Sequence, residues 1–126
     1  MRKTLLIGAL LLSGCASSPE KIVYAAKVSF DGALLAANHY AEDLPRCSTT
    51  QAPPCSDQAV IDKANAAAHK AAPILDDAEK YVRAAAAAAA NPKVTPPAAG
   101  TVAAQANLAA AAVSELTTVT ATMGVK

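Results

Sequence analysis

The sequence of 126 residues holds three cysteines and two histidines, the side chains most able to carry out chemistry in it. A thiol can be acylated, form a disulfide, act in redox exchange or bind a metal ion. The cysteines, Cys15, Cys47 and Cys55, form no Cys-x-x-Cys pair, and neither His39 nor His69 lies in a His-Glu-x-x-His motif. We therefore predict no metal and no cofactor, and we interpret both histidines as surface or boundary residues.

A cluster of acids near Pro73, formed by Asp76, Asp77 and Glu79, is the other group that could carry chemistry. Lys80 and Arg83 follow within one helical turn, which is typical of a solvated helix face joined by salt bridges. The sequence also lacks a nucleophile elbow and a glycine-rich phosphate loop. We predict that the protein is not an enzyme. A catalytic role would require a pocket that contains both histidines.

The N-terminal segment, 1–15, has the anatomy of a signal peptide. Arg2 and Lys3 precede eight uninterrupted apolar positions, 5–12, and two small residues then lead to Cys15. A helix needs about 20 apolar residues to span a bilayer, so this run is too short to remain as a membrane span. We expect it to be cleaved.

The residues before the cut, Leu12-Ser13-Gly14-Cys15, resemble the lipobox of bacterial lipoproteins. The resemblance covers positions 1–15 only. It implies that the thiol of Cys15 receives a diacylglycerol, that the signal is cleaved before it, and that the new amino group is acylated, for example with palmitate. The mature chain would then run from Cys15 to Lys126. Two or three acyl chains give stable attachment, where one chain is reversible.

The residues after the lipobox bear on which membrane holds the lipid. In lipoproteins of Gram-negative bacteria, an aspartate just after the acylated cysteine marks retention in the inner membrane, and this chain has Ala16 and Ser17 there. The resemblance thus implies the outer membrane, facing the periplasm. We divide the chain into a signal peptide (1–14), a lipidated tether (15–18) and a helical domain (19–126).

Cys47 and Cys55 lie in the loop DLPRCSTTQAPPCSDQ and remain once Cys15 carries lipid. An exported chain meets an oxidising compartment, and two thiols allow one pairing. We predict a Cys47–Cys55 disulfide, which on the chain-entropy model stabilises the fold by about 2.5 kcal/mol.

The rest of the sequence, from residue 19 onward, predicts three helices, near 19–44, 57–90 and 99–123. Ser18 and Ser56-Asp57 have the residue types of N-caps, and Pro73 should kink the second helix. Apolar positions recur at helical spacing in each segment: Val23, Ala26, Phe30, Ala33, Ala37, Tyr40 and Leu44 in the first; Ile61, Ala64, Ala68, Ala71, Leu75, Ala78, Val82 and Ala85 in the second; Val102, Ala106, Ala109, Val113, Leu116, Thr120 and Met123 in the third. Polar residues in the third segment argue against a membrane span.

These stripes and the short connectors predict an all-α fold, a small antiparallel three-helix bundle with alanine-rich seams and one disulfide-closed loop. Alanine seams require the helix backbones to approach closely, and they bury less apolar area than leucine seams. Modest stability is expected. The seams could also serve as a docking groove or an oligomer surface, so the oligomeric state stays open.

Loss of Arg2 and Lys3 leaves nine basic and ten acidic residues, a balance that does not favour nucleic acid as a partner. We expect a binding or scaffolding lipoprotein whose partner is an envelope protein or the cell wall. The alternative is a phage- or plasmid-encoded envelope lipoprotein, acting in lysis or superinfection exclusion. The terminal Lys126 resembles the peptidoglycan-linked lysine of murein lipoprotein, but its flanking residues depart from that family.

Overall fold

The structure, a computed structural model, describes residues 17–51 and 53–124. The predicted signal peptide, the predicted lipidation site Cys15 and the terminal Lys126 lie outside the described residues. Within them the fold consists of three long helices and contains no β-strand. The predicted all-α class is confirmed.

Helix α1 spans Pro19–Asp43, α2 spans Gln58–Ala90 and α3 spans Ala99–Ala121, which a 3₁₀ turn at Thr122–Gly124 extends. Proline at the first position of α1 fits there because that residue's N–H has no partner within the helix. α2 is helical throughout, including Pro73. Pro73 has no N–H to donate to the carbonyl four residues earlier, and the kink predicted there stays a prediction.

The caps differ from the sequence expectation in two places. Ser18 occupies the N-cap position of α1 but its side chain caps no N–H. In α2 the cap is Asp57, whose Oδ1 accepts from the N–H of Ala59 at 2.8 Å. Ser56 does not cap because its hydroxyl donates to the carbonyl of Leu44.

Contacts between the helices establish the antiparallel bundle. Lys27, near the start of α1, pairs with Glu79 in the second half of α2, and Tyr40, near the end of α1, bonds to Asp57 just before α2. Lys70 of α2 pairs with Glu115 near the end of α3. α1 and α3 therefore run parallel, with α2 antiparallel to both.

The alanine stripes meet inside one chain. In α3 every predicted stripe residue is buried except Met123, which is half-buried, and in α2 Ala67 is buried where Ala68 was expected. Four alanines and one leucine have no exposed surface: Ala71, Ala78, Ala106, Ala109 and Leu116. The seams are thus used mainly to close the core of a single chain.

Candidate functional site

The disulfide loop closes one end of the bundle. Cys47 and Cys55 are bonded, with their Cα atoms 5.0 Å apart. Beside them Ser56 is buried, its N–H donates to the carbonyl of Pro45 at 2.8 Å, and its carbonyl accepts from the N–H of Cys47 at 3.0 Å. The predicted disulfide is confirmed, and backbone hydrogen bonds hold the two halves of the loop together independently of it.

Tyr40 adds a further link at this closed end. Its hydroxyl oxygen accepts from the N–H of Asp57 at 2.8 Å, which ties the last turns of α1 to the N-cap of α2. Periodicity identified Tyr40 only as a stripe residue, because nothing in its spacing indicates a partner 17 positions away.

Glu79 joins two helices through an ion-pair network. One carboxylate oxygen accepts from Lys27 Nζ at 2.6 Å and the other from Arg83 Nη2 at 2.8 Å. The Lys27 hydrogen bond is the main cause that lowers the pKa of Glu79, and the same bond raises the pKa of Lys27. Asp77 pairs with Lys80 at 3.0 Å, so the cluster is the salt-bridged face that the sequence predicts, with an interhelical clamp in addition.

The two histidines make no common site. His39 is exposed and pairs with Asp43, four residues later on α1, and His69 is exposed on α2. Among residues 17–51 and 53–124, no group of three His, Cys, Asp or Glu side chains is placed to hold a metal ion.

Two of the open grooves along the described part of the bundle are lined by different elements. One, between α1 and α3, has a volume of about 410 Å³ and is lined mainly by alanine and serine, with Lys21 as its charged residue. The other, of about 540 Å³, lies between α2 and residues 95–97 and includes Asp77, Lys80 and Tyr81. A third groove, of about 410 Å³, contains His39 but not His69, so none of these grooves is the pocket with both histidines that a catalytic role was expected to require.

A row of apolar side chains faces solvent on α1. Tyr24, Val28 and Leu35 are 70%, 55% and 60% exposed. They share one side of the helix, facing away from the buried Ala26, and the exposed Asp31 lies between Val28 and Leu35 on that side. We call these three residues the outer-face row. Grouped exposed apolar side chains are typical of an interaction surface, whereas isolated ones are common on any protein.

The end of the bundle opposite the disulfide is where a lipid tether would attach. The antiparallel order places the start of α1 at the same end as the α2–α3 connector, residues 91–98, and we call this the anchoring end. Pro19, the first residue of α1, lies four positions after Cys15. In the part of the chain that the structure describes, no helix combines the length and apolarity that crossing a membrane requires.

Comparisons with protein-family models, with curated proteins and with solved structures found no significant match to this chain, so the site rests on its own residues.

Proposed function

We propose that this chain is a lipoprotein of the outer membrane, held by acyl chains on Cys15, and that its bundle is a binding or scaffolding module in the periplasm. The observation that carries the proposal is Leu12-Ser13-Gly14-Cys15, placed after a basic and apolar leader and four residues before α1. The disulfide supports it, because it occupies the other two of three cysteines and suits an oxidising compartment.

Labelling of growing cells with an alkyne analogue of palmitate tests the attachment. Wild-type protein should incorporate the label and Cys15→Ser should not. The matched control is the double variant Cys47→Ser/Cys55→Ser, which removes two thiols but keeps Cys15. It should label like the wild type. Equal labelling of Cys15→Ser and the wild type would contradict lipid attachment at this residue.

Membrane fractionation tests the choice of membrane. On a density gradient, wild-type protein should sediment with the outer membrane. Ala16→Asp places the retention residue directly after Cys15 and should move the protein to the inner-membrane fraction, while Ala16→Ser should not. Wild-type protein in the inner-membrane fraction would overturn the outer-membrane assignment and leave lipidation standing.

The outer-face row supports the binding role. Folding leaves three large apolar side chains in solvent while the alanine seams are buried, so the row is the exposed apolar surface of α1 that a partner can cover. A photo-crosslinker at Leu35, used in intact cells, should give one discrete adduct that Val28→Glu abolishes. The same crosslinker at exposed Lys63 on α2 is the control. Identical adducts at both positions would indicate random encounters and contradict a binding role for the row.

A further inference from the structure

We propose that the turn after α2 at the anchoring end, residues 91–94, rests on the lipid surface of the membrane that holds the acyl chains. The inference depends on lipidation of Cys15, which is part of the proposed function, and adds a second membrane contact and a fixed orientation. We call residues 91–94 the tip, because residues 95–97 fold back along α2.

Helix lengths place the tip beyond the start of α1. Lys27 and Glu79 are paired at 2.6 Å, so the two residues lie at about the same height along the bundle axis. At 1.5 Å per residue, the eight residues from Lys27 back to Pro19 cover about 12 Å of α1. The eleven residues from Glu79 forward to Ala90 cover about 16 Å of α2 in the same direction. The tip therefore begins about 4 Å further along the bundle than the first residue of α1.

The tether is short enough to keep the tip near the bilayer. The four steps from Cys15 to Pro19 span at most about 14 Å even when fully extended. With its lipid in the bilayer, the chain cannot lift the anchoring end beyond that distance. Because the tip extends past the start of α1, it is the part of the bundle that reaches the surface first.

Charge is nearly absent from the tip and the helices that lead to it. Residues 84–114 contain one charged side chain, Lys93, whereas the preceding segment of α2, 58–83, contains eight. A neutral surface loses little hydration on approaching lipid, and a single lysine matches the negative headgroups of a membrane. Val94, 41% exposed, supplies an apolar side chain beside it.

The backbone of the tip also suits contact with lipid. Pro92, in the middle of the tip, has no N–H. The N–H of Lys93 donates to Asn91 Oδ1, and the N–H of Val94 donates to the Asn91 carbonyl, both at 3.0 Å. The N–H of Asn91 donates to the Ala87 carbonyl, also at 3.0 Å. None of the four tip residues therefore brings an unpaired N–H toward the membrane, where an unpaired donor raises the free energy.

Depth-dependent quenching tests the contact on full-length lipidated protein in vesicles of phosphatidylethanolamine and phosphatidylglycerol. A fluorophore is attached at Val94→Cys, or, as the matched control at the disulfide end, at Thr50→Cys. Quenchers are carried on the lipid acyl chains near the headgroup. We expect quenching several-fold stronger at position 94 than at position 50. The added Val94→Cys thiol is the one to be labelled, because lipid and disulfide occupy the others.

Equal quenching at the two positions, in protein whose mass includes the lipid, would overturn the contact and leave the lipid anchor standing. A mass without lipid would instead show that the proposed function fails. A third outcome is self-quenching of the fluorophore at position 94 that rises with protein density, without quenching by lipid. That result would show that the tip contacts a second copy of the chain and would also overturn the proposal.

Discussion

The two ends of the bundle are built differently. At the closed end, the connector between α1 and α2 is held by the Cys47–Cys55 disulfide, by the buried Ser56 and by the bond from Asp57 to Tyr40. At the anchoring end, the connector between α2 and α3 is an exposed turn with local bonds to Asn91. The difference indicates that the closed end stabilises the fold, and the anchoring end is the one at which we propose attachment.

The core beneath the closed end should give the largest effect. Leu116 is fully buried beside Ala33, Ala64 and Ala67. Leu116→Ala should lower the free energy of unfolding by about 2–5 kcal/mol, measured by urea denaturation, because it leaves a cavity. Leu108, on the same helix and 54% exposed, is the control, and Leu108→Ala should cost less than about 1 kcal/mol. Equal losses would show that α3 does not pack as described.

The disulfide should give the next largest effect. The double variant Cys47→Ser/Cys55→Ser should lose about 2.5 kcal/mol relative to oxidised wild type, because the unfolded chain regains the freedom of the closed loop. Relative to reduced wild-type protein, the double variant should show no loss in the free energy of unfolding. Denaturation with and without reductant measures both, and the same loss in each state would mean that the serines, and not the missing crosslink, destabilise the protein.

Glu79 should give a smaller, pH-dependent effect. Its lowered pKa means that its contribution is present above the usual pKa of glutamate and is lost as the pH falls through the folded-state value. The raised pKa of Lys27 means that the contribution is also lost as the pH rises through that higher value. Glu79→Gln should therefore destabilise the protein from about pH 5 to pH 10, by less than the disulfide variant.

Thermal denaturation from acid to neutral pH would measure this effect. The difference between wild type and Glu79→Gln should shrink on acidification. Glu42→Gln, an exposed residue of α1 outside the network, is the control and should show no such trend. A difference independent of pH would place the effect of Glu79 in packing and not in its charge.

The tip should give the smallest effect on stability. Lys93 is exposed, and its side chain makes no ion pair in the described residues. Lys93→Ala should change the free energy of unfolding by less than about 0.5 kcal/mol in chemical denaturation of unanchored protein. A loss as large as that of the disulfide variant would break the contrast between the two ends.

Periodicity was sufficient to predict the helices and most of the core, because a three- and four-residue spacing fixes which face is buried. It placed Val102, Ala106 and Leu116 correctly. The disulfide also followed from the sequence, because once Cys15 was assigned to lipid the two remaining thiols allowed one pairing. These features depend on local spacing or on counting residues.

The links between elements could not be predicted. Tyr40 and Asp57 are 17 positions apart, and Lys27 and Glu79 are 52 apart, so their pairing depends on how the helices are aligned. Ser56 has the residue type of a cap, but the returning chain at Leu44 provides its partner instead. The position of the tip relative to the start of α1 likewise follows from alignment, which spacing within one helix does not contain.

The central claim is that Cys15 carries lipid while Cys47 and Cys55 are bonded to each other. Intact mass of the protein extracted from membranes, alkylated with and without prior reduction, tests it most directly. We expect the mass of a chain that starts at Cys15 and carries lipid. Two thiols should be alkylated after reduction, and none without it. A mass without lipid, or three thiols alkylated without reduction, would contradict it.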